Sequence, residues 1–302
     1  MAENWLREYR VIAGVPGGAG FEIGETVNGR ALHVEFDFEK SETESSNTGK
    51  LTITNLSDEH KAALNEKGCQ VEVRAGYRSH MYPIFKGDVS ATSETLNDAD
   101  RDLEIELVDG LSQFDIPGSI SLNEVNTCSS IVEMIQHEMG IDSAIITEQA
   151  QAKLEEAKYD NGFAFIGKFK SALTKVCRKA GVQFTLQNGI LHIYCEGEAV
   201  TDNVYVLSAE TGLISVPKKI TISKNGASST GSKKKESGGT TEKGIPGYEV
   251  EYFLNGSIGI NDLVELQSRM VSGTFKVHKI TYKGDNYTGD WKCITQLVEV
   301  TG

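Results

Sequence analysis

Apolar and polar residues alternate along several short stretches of this chain. Leu32-His33-Val34-Glu35-Phe36-Asp37-Phe38 has a period of two, as do Leu51-Thr52-Ile53, Val71-Glu72-Val73-Arg74-Ala75 and Leu103-Glu104-Ile105-Glu106-Leu107. Such alternation buries one face of a strand and wets the other. Turn chemistry separates the runs, at Asn28-Gly29, from Lys40 to Gly49, and at Asn97-Asp98-Ala99-Asp100. One short helix is expected at about Asp58 to Leu64, behind Ser57 as N-cap. Short, regularly punctuated strands predict a β-barrel or sandwich over residues 1–111.

The pattern changes over residues 112–202. Ser130-Ile131-Val132-Glu133 reads as a capping box opening a helix to Met139, with Gly140 placed to end it. A second helix is predicted from Phe163 to Ala180, where Phe165, Phe169, Leu173, Val176 and Ala180 recur at helical spacing. Lys175, Arg178 and Lys179 suit the negative end of its dipole, and Gly181 stops it. Val182–Leu186 and Ile190–Tyr194 then flank Gln187-Asn188-Gly189, a strong hairpin signal. This is the expected small α+β domain.

Strands return over 203–302, at Lys218–Ser223, Tyr248–Leu254, Leu263–Gln267, Gly273–Thr281 and Trp291–Val300. The Gly/Ser/Thr/Lys-rich stretch at 224–244 cannot bury apolar surface and is expected to be a mobile loop. The expected architecture is thus mainly β: two β domains (1–111 and 203–302), compatible with a pseudo-duplicated barrel, flanking a small α+β domain (112–202).

Composition adds limits. The chain has 302 residues, 39% of them hydrophobic and 24% charged, enough for a sizeable core. No run approaches the ~20 apolar residues of a membrane-spanning helix, so no membrane insertion is expected. The charged N-terminal residues do not resemble a signal peptide. The five cysteines (69, 128, 177, 195 and 293) show no metal-site spacing and are expected as buried thiols. The net charge of -13 is uneven: residues 203–302 hold 12 Lys+Arg and 10 Asp+Glu, residues 1–202 hold 18 and 33. Specific nucleic-acid binding, which needs cations facing phosphates, is not expected.

Candidate chemistry is sparse. Gly14 to Gly20 is glycine-rich, but no Lys-Ser/Thr follows, and a turn between strands is the better reading. Asp98-Ala99-Asp100-Arg101-Asp102 resembles the start of a calcium loop, with Asp109 at the twelfth position, yet Leu103 stands where glycine is required. The six histidines (33, 60, 80, 137, 192 and 278) form no HExxH pattern, and there is no Gly-x-Ser-x-Gly elbow. Asp58-Glu59 suits a helix's first turn, Glu155-Glu156 shows no catalytic pairing, and Lys233-Lys234-Lys235 reads as a solvated loop tip. No catalytic, cofactor-binding or metal residue is assigned, and no cofactor is implied. A structural or binding role is favoured over an enzyme.

Several segments in order resemble one family. Leu51-Thr52-Ile53-Thr54-Asn55-Leu56-Ser57 precedes a short helix; Val71 to Tyr77, Ile84-Phe85-Lys86-Gly87-Asp88-Val89 and Leu107-Val108-Asp109-Gly110 follow. Thr211 to Pro217, Val250 to Gly256, Ile260 to Leu266, Ser272 to Val277 and Gly284-Asp285 to Trp291 continue the series. Together they resemble the baseplate hub proteins of contractile-tailed phages and tailocins. The resemblance implies two tail-tube-like barrels per subunit and a trimeric ring that adapts the sixfold tail tube to the threefold central spike. It implies partners among the spike, tail tube, baseplate wedge and tape-measure proteins, a lumen for DNA, and a place in the virion's tail baseplate after assembly in the host cytoplasm. An acidic lumen lining would repel DNA. The alternatives are a hexameric tube-initiator or distal-tail ring, and a tail-associated peptidoglycan hydrolase.

Overall fold

The computed structural model describes residues 6–24, 31–78, 80–201, 203–222, 228–229 and 244–300. The first stretch carries β1 (Arg7–Gly14), β2 (Gly20–Gly24), β3 (Val34–Ser41) and β4 (Thr48–Thr54), then α1 (Asp58–Leu64), β5 (Gln70–Tyr77), β6 (His80–Asn97) and β7 (Asp100–Val108). Ser57 caps α1, its side chain accepting from the His60 N–H. The Gly-rich stretch after β1 is a hairpin turn to β2. Residues 97–100 turn β6 into β7 with Asp98 at φ 53°, so the calcium-loop reading gives way to an acidic hairpin.

The middle stretch contains α2 (Leu111–Phe114), β8 (Pro117–Leu122), β9 (Asn126–Thr127), α3 (Cys128–Glu138), β10 (Ala144–Ile146) and α4 (Glu148–Glu156). It continues with β11 (Lys158–Tyr159), β12 (Phe163–Lys168), α5 (Phe169–Ala180), β13 (Gln183–Gln187) and β14 (Ile190–Tyr194). Two expectations are corrected here. Thr127, not Ser130, caps α3 by accepting the Ser130 N–H, so the helix starts three residues earlier than the capping box implied. Residues 163–168 are a strand paired residue for residue with β8, and Gly167 within it, at φ 144°, is not helical. Gly181, at φ 70°, does end α5.

The last stretch holds β15 (Val204–Ser208), β16 (Lys218–Ile222), β17 (Ser228–Ser229), β18 (Ile245–Phe253), β19 (Leu263–Gln267), β20 (Ser272–Asp285) and β21 (Trp291–Glu299). Apart from Ser228–Ser229 and Gly244, the polar 224–244 stretch lies outside the described residues, as does the Asn28-Gly29 turn.

The mainly β class holds, but the two β stretches do not close into separate barrels. They join one 14-stranded sheet in the order β17-β16-β18-β21-β20-β3-β4-β7-β6-β5-β1-β2, with β19 on β20 and β15 parallel to β19. The path has two open ends. The joint is β3 against β20, antiparallel from Lys279↔Ser41 to Asp285↔Glu35. Both stretches also feed one hydrophobic core, from Tyr9 to Leu107 and from Leu207 to Leu297. Residues inside β3 explain why. Val34, Phe36, Phe38 and Lys40 point inward while Glu35, Asp37 and Glu39 point out. Trp291, Phe36, Phe38 and Phe85 form a ring-to-ring column with centroids 5.3, 5.2 and 4.8 Å apart, so aromatic burial runs across the joint. A second core, built on α3, α4, α5 and the β13–β14 hairpin, fills the middle stretch.

Candidate functional site

Among the described residues, three places concentrate polar chemistry, and each lies where separate parts of the chain meet. The first is the tip of the β13–β14 hairpin. Asn188 (φ 55°) and Gly189 (φ 82°) make the left-handed pair that a two-residue turn needs. Asp109, just after β7, accepts the Asn188 N–H at 2.6 Å and the Gly189 N–H at 3.1 Å. Asn188 Oδ1 accepts from Lys40 Nζ at 2.6 Å and from the Lys86 N–H at 3.0 Å. Asn47 Nδ2 donates to Asp109 Oδ2, to the Leu186 carbonyl and to Gln187 Oε1. Burial pushes the Asp109 carboxyl up to about 6, against the opposing pull of Lys40 and its hydrogen bonds. Burial pushes Lys40 down to about 8, against Asp109. This node fastens the middle stretch to the sheet. The twelfth-position acid of the rejected calcium loop thus binds backbone amides.

The second place is a cavity of about 730 Å³ between β20 and the middle stretch. On its floor, Glu42 pairs with Lys276 Nζ and with His278 Nδ1, each at 2.6 Å. Burial alone would raise Glu42, but the His278 hydrogen bond and the Lys276 charge outweigh it and hold its carboxyl below the ordinary range. Phe184, Ile245 and Val298 supply apolar wall, and Glu44, Glu196 and Glu299 also line it. A carboxylate orienting an imidazole is half of a nucleophile relay. Glu42 joins His278 to Lys276 in one polar cluster.

The third is the outer face of the sheet around the β3–β20 joint. Lys283 pairs with Asp37 at 3.0 Å, Lys279 with Glu39 at 2.7 Å and Lys50 with Glu104 at 2.9 Å. Lys292 reaches Glu251 at 3.0 Å. Columns of acids on β3 and β7 therefore alternate with lysines on β4 and β20, giving one polar surface across both β stretches.

No protein-family model matches the chain, and no curated protein matches its sequence. Solved structures do match its shape. The 43 kDa tail protein of prophage MuSo2 from Shewanella oneidensis aligns with a TM-score of 0.58 at 12% identity, covering 97% of this chain and 98% of that one. A tail protein from Neisseria meningitidis MC58 aligns with a TM-score of 0.58 at 11% identity, covering 96% of each. The fold is that of phage tail proteins.

A chain of the Francisella PdpA–VgrG complex shares the tail-protein fold, with a TM-score of 0.59 at 8% identity. The match covers 98% of this chain but 58% of that one. Within this fold the other residues singled out from the sequence are dispersed. His60 stacks on Phe21, with ring centroids 4.1 Å apart. His192 is driven down to about 4 by burial and then by the Lys40 charge, so it stays neutral. All five cysteines are free and buried, as expected. Glu155 accepts from Gln151 within α4, and Asp58 sits in the first turn of α1 beside Lys61. Lys233-Lys234-Lys235 lies outside the described residues. Sequence reasoning did not find the Asp109 node or the Glu42–Lys276–His278 cluster. The inward register of Lys40, continuing Val34, Phe36 and Phe38, was the available signal for the first.

Proposed function

We propose that this chain is a structural component of a phage tail baseplate, a hub that forms a trimeric ring between the tail tube and the central spike. The observation that carries the reading is the whole-length likeness to phage tail proteins, which leaves almost none of either chain unmatched. The continuous sheet supports it. Two β stretches joined edge to edge let three subunits offer six sheet segments, a number suited to a sixfold tube. The middle stretch, fastened at the Asp109 node, is then held apart for contacts with the spike, wedge or tape-measure proteins. The outer polar face is the surface suited to line a DNA passage, because its lysines are tied to acids and do not grip phosphate. Assembly takes place in the host cytoplasm and the finished protein resides in the virion tail.

A role in a type VI secretion system is the second reading, motivated by the likeness to the Francisella PdpA–VgrG chain and to an E. coli component of that system. Phage tail proteins fit better because their lengths match this chain nearly end to end. The deciding experiment is the native mass of the purified protein with negative-stain images. A ring of three 32.9 kDa subunits with a central hole is expected. A six-membered ring would replace the hub with a tube initiator. A monomer indifferent to the spike protein would end the hub reading.

A further inference from the structure

We propose that His33, Glu35 and Asp285 form a transition-metal site, of the zinc or manganese class, that staples the two β stretches together. The three residues sit at the end of the β3–β20 joint. Glu35 and Asp285 are direct cross-strand partners, and His33 immediately precedes β3. One side-chain donor atom from each lies within 4.8 Å of the others. His33 Nε2 stands 3.5 Å from Glu35 Oε1 and 3.1 Å from Asp285 Oδ1. An ion with bonds of about 2.0–2.2 Å in tetrahedral geometry separates its ligand atoms by about 3.3–3.5 Å. The Nε2–Glu35 spacing falls in that range, and the Nε2–Asp285 spacing lies just below it.

A hydrogen bond outside the three residues orients the imidazole. Thr54 Oγ1 donates its single proton to Asp102 Oδ1 at 2.6 Å. It also lies 3.4 Å from His33 Nδ1. With its proton committed, Thr54 can only accept there, so Nδ1 carries the hydrogen. When the ring is neutral, Nε2 turns its lone pair toward the two carboxylates, where a metal ion can take the place of the imidazolium proton that otherwise bridges them. Imidazoles that bind metals are oriented in this way, the second nitrogen donating to an outer partner. Tyr287 stacks on the ring at 4.7 Å and fixes its plane. The Tyr287 and Thr288 N–H groups donate to Asp285 Oδ1 and hold the carboxylate in place.

The donor set selects the ion. One imidazole with two carboxylates favours a first-row transition metal over calcium or magnesium, which prefer oxygen alone. A cavity of about 320 Å³ adjoins Glu35 and Asp285, leaving room for water as a further ligand. The lysines beside it, Lys50 and Lys283, are engaged with Glu104 and Asp37.

The test uses chelator-stripped full-length protein. Zn²⁺ is titrated calorimetrically, Co²⁺ serves as a spectroscopic probe of coordination, and thermal unfolding is followed with and without metal. One saturable site per chain and a raised unfolding temperature are expected, since an ion held only by the folded chain stabilises it. Glu35 is exposed, so E35Q keeps the fold and is expected to weaken the affinity about tenfold or more. H33Q is expected to abolish the site and its Co²⁺ spectrum. Absence of saturable binding to the wild-type chain overturns the proposal. Binding that E35Q leaves unchanged overturns it as well, because the ion is then held elsewhere.

Discussion

Asp109 holds Asn188 by its backbone, 2.6 Å from carboxylate to N–H, across a sequence separation of 79. That bond ties a turn in the middle stretch to the end of a strand in the first. Asparagine at 109 would offer one acceptor where two amides and Asn47 now donate, and would leave Lys40 buried without its counter-charge. D109N is expected to cost about 3 kcal/mol in urea unfolding. Adding K40M is expected to cost less than the sum of the two single changes, because the partners share one node.

The same pair predicts a pH dependence. Asp109 titrates at about 6 in the folded chain against an ordinary 3.8, so the folded state binds the extra proton between those values. This contribution therefore stabilises as the pH falls through that window. Lys40 titrates at about 8 against an ordinary 10.5, so its contribution stabilises as the pH rises from about 8 to 10.5. The two leave a minimum between about 6 and 8. Asn47, Asn188, Gly189 and the Lys86 amide add no charge to the pair, but His192, held down to about 4 by burial and then by Lys40, adds a contribution that stabilises as the pH rises from about 4 to 6.5. Subtracting the profile of the K40M/D109N variant from the wild type should expose this minimum. Glu42 works oppositely: its lowered carboxyl stabilises above the ordinary 4.5 and loses that effect as acid protonates it. E42Q should flatten the acid limb.

Two glycines make room for the aromatic column. Gly284 on β20 lies opposite Phe36, and Gly49 on β4 lies opposite Phe38. A Cβ at either would run into the facing ring. G284A should force Phe36 off Trp291 and destabilise the chain by about 1–3 kcal/mol, with a changed near-ultraviolet signal from the displaced tryptophan. G68A, where a Cβ meets nothing, is a control for ring displacement, although its φ of 82° carries a backbone cost.

If the outer face lines a DNA passage, its acids should matter to transit. Glu104 and Glu106 stand on β7 across from Thr52 and Lys50. E104Q/E106Q leaves Lys50 with less counter-charge, and DNA release timed from particles carrying the variant is expected to slow. Unchanged release would remove that face from the passage.

Local signals were readable from the sequence, and distant partnerships were not. Leu103 to Leu107 announces its strand by alternation, Asn188-Gly189 announces its turn, and Gly181 ends its helix, because each depends on neighbours in the chain. The β3–β20 joint joins residues on opposite sides of the middle stretch, and nothing in Glu35 or Asp285 names the other. Thr127 and Ser130 are equally good caps three residues apart, and packing chose between them. Phe163 to Lys168 has helical apolar spacing, but pairing with β8 won. The Glu42–His278 pair spans a separation of 236 and left no local trace.

The joint also sets an order of events during synthesis. The edge of β3 that receives β20 is made early, yet its partner is some 240 residues downstream; the Val34–Asn286 bond alone spans 252. A growing chain therefore carries an open strand edge for most of its time on the ribosome, and such edges invite pairing with other chains. Long-range closure of this kind slows folding. Polysomes crowded with half-made copies are thus the setting in which this protein most needs a chaperone, and products truncated before residue 279 should be aggregation-prone.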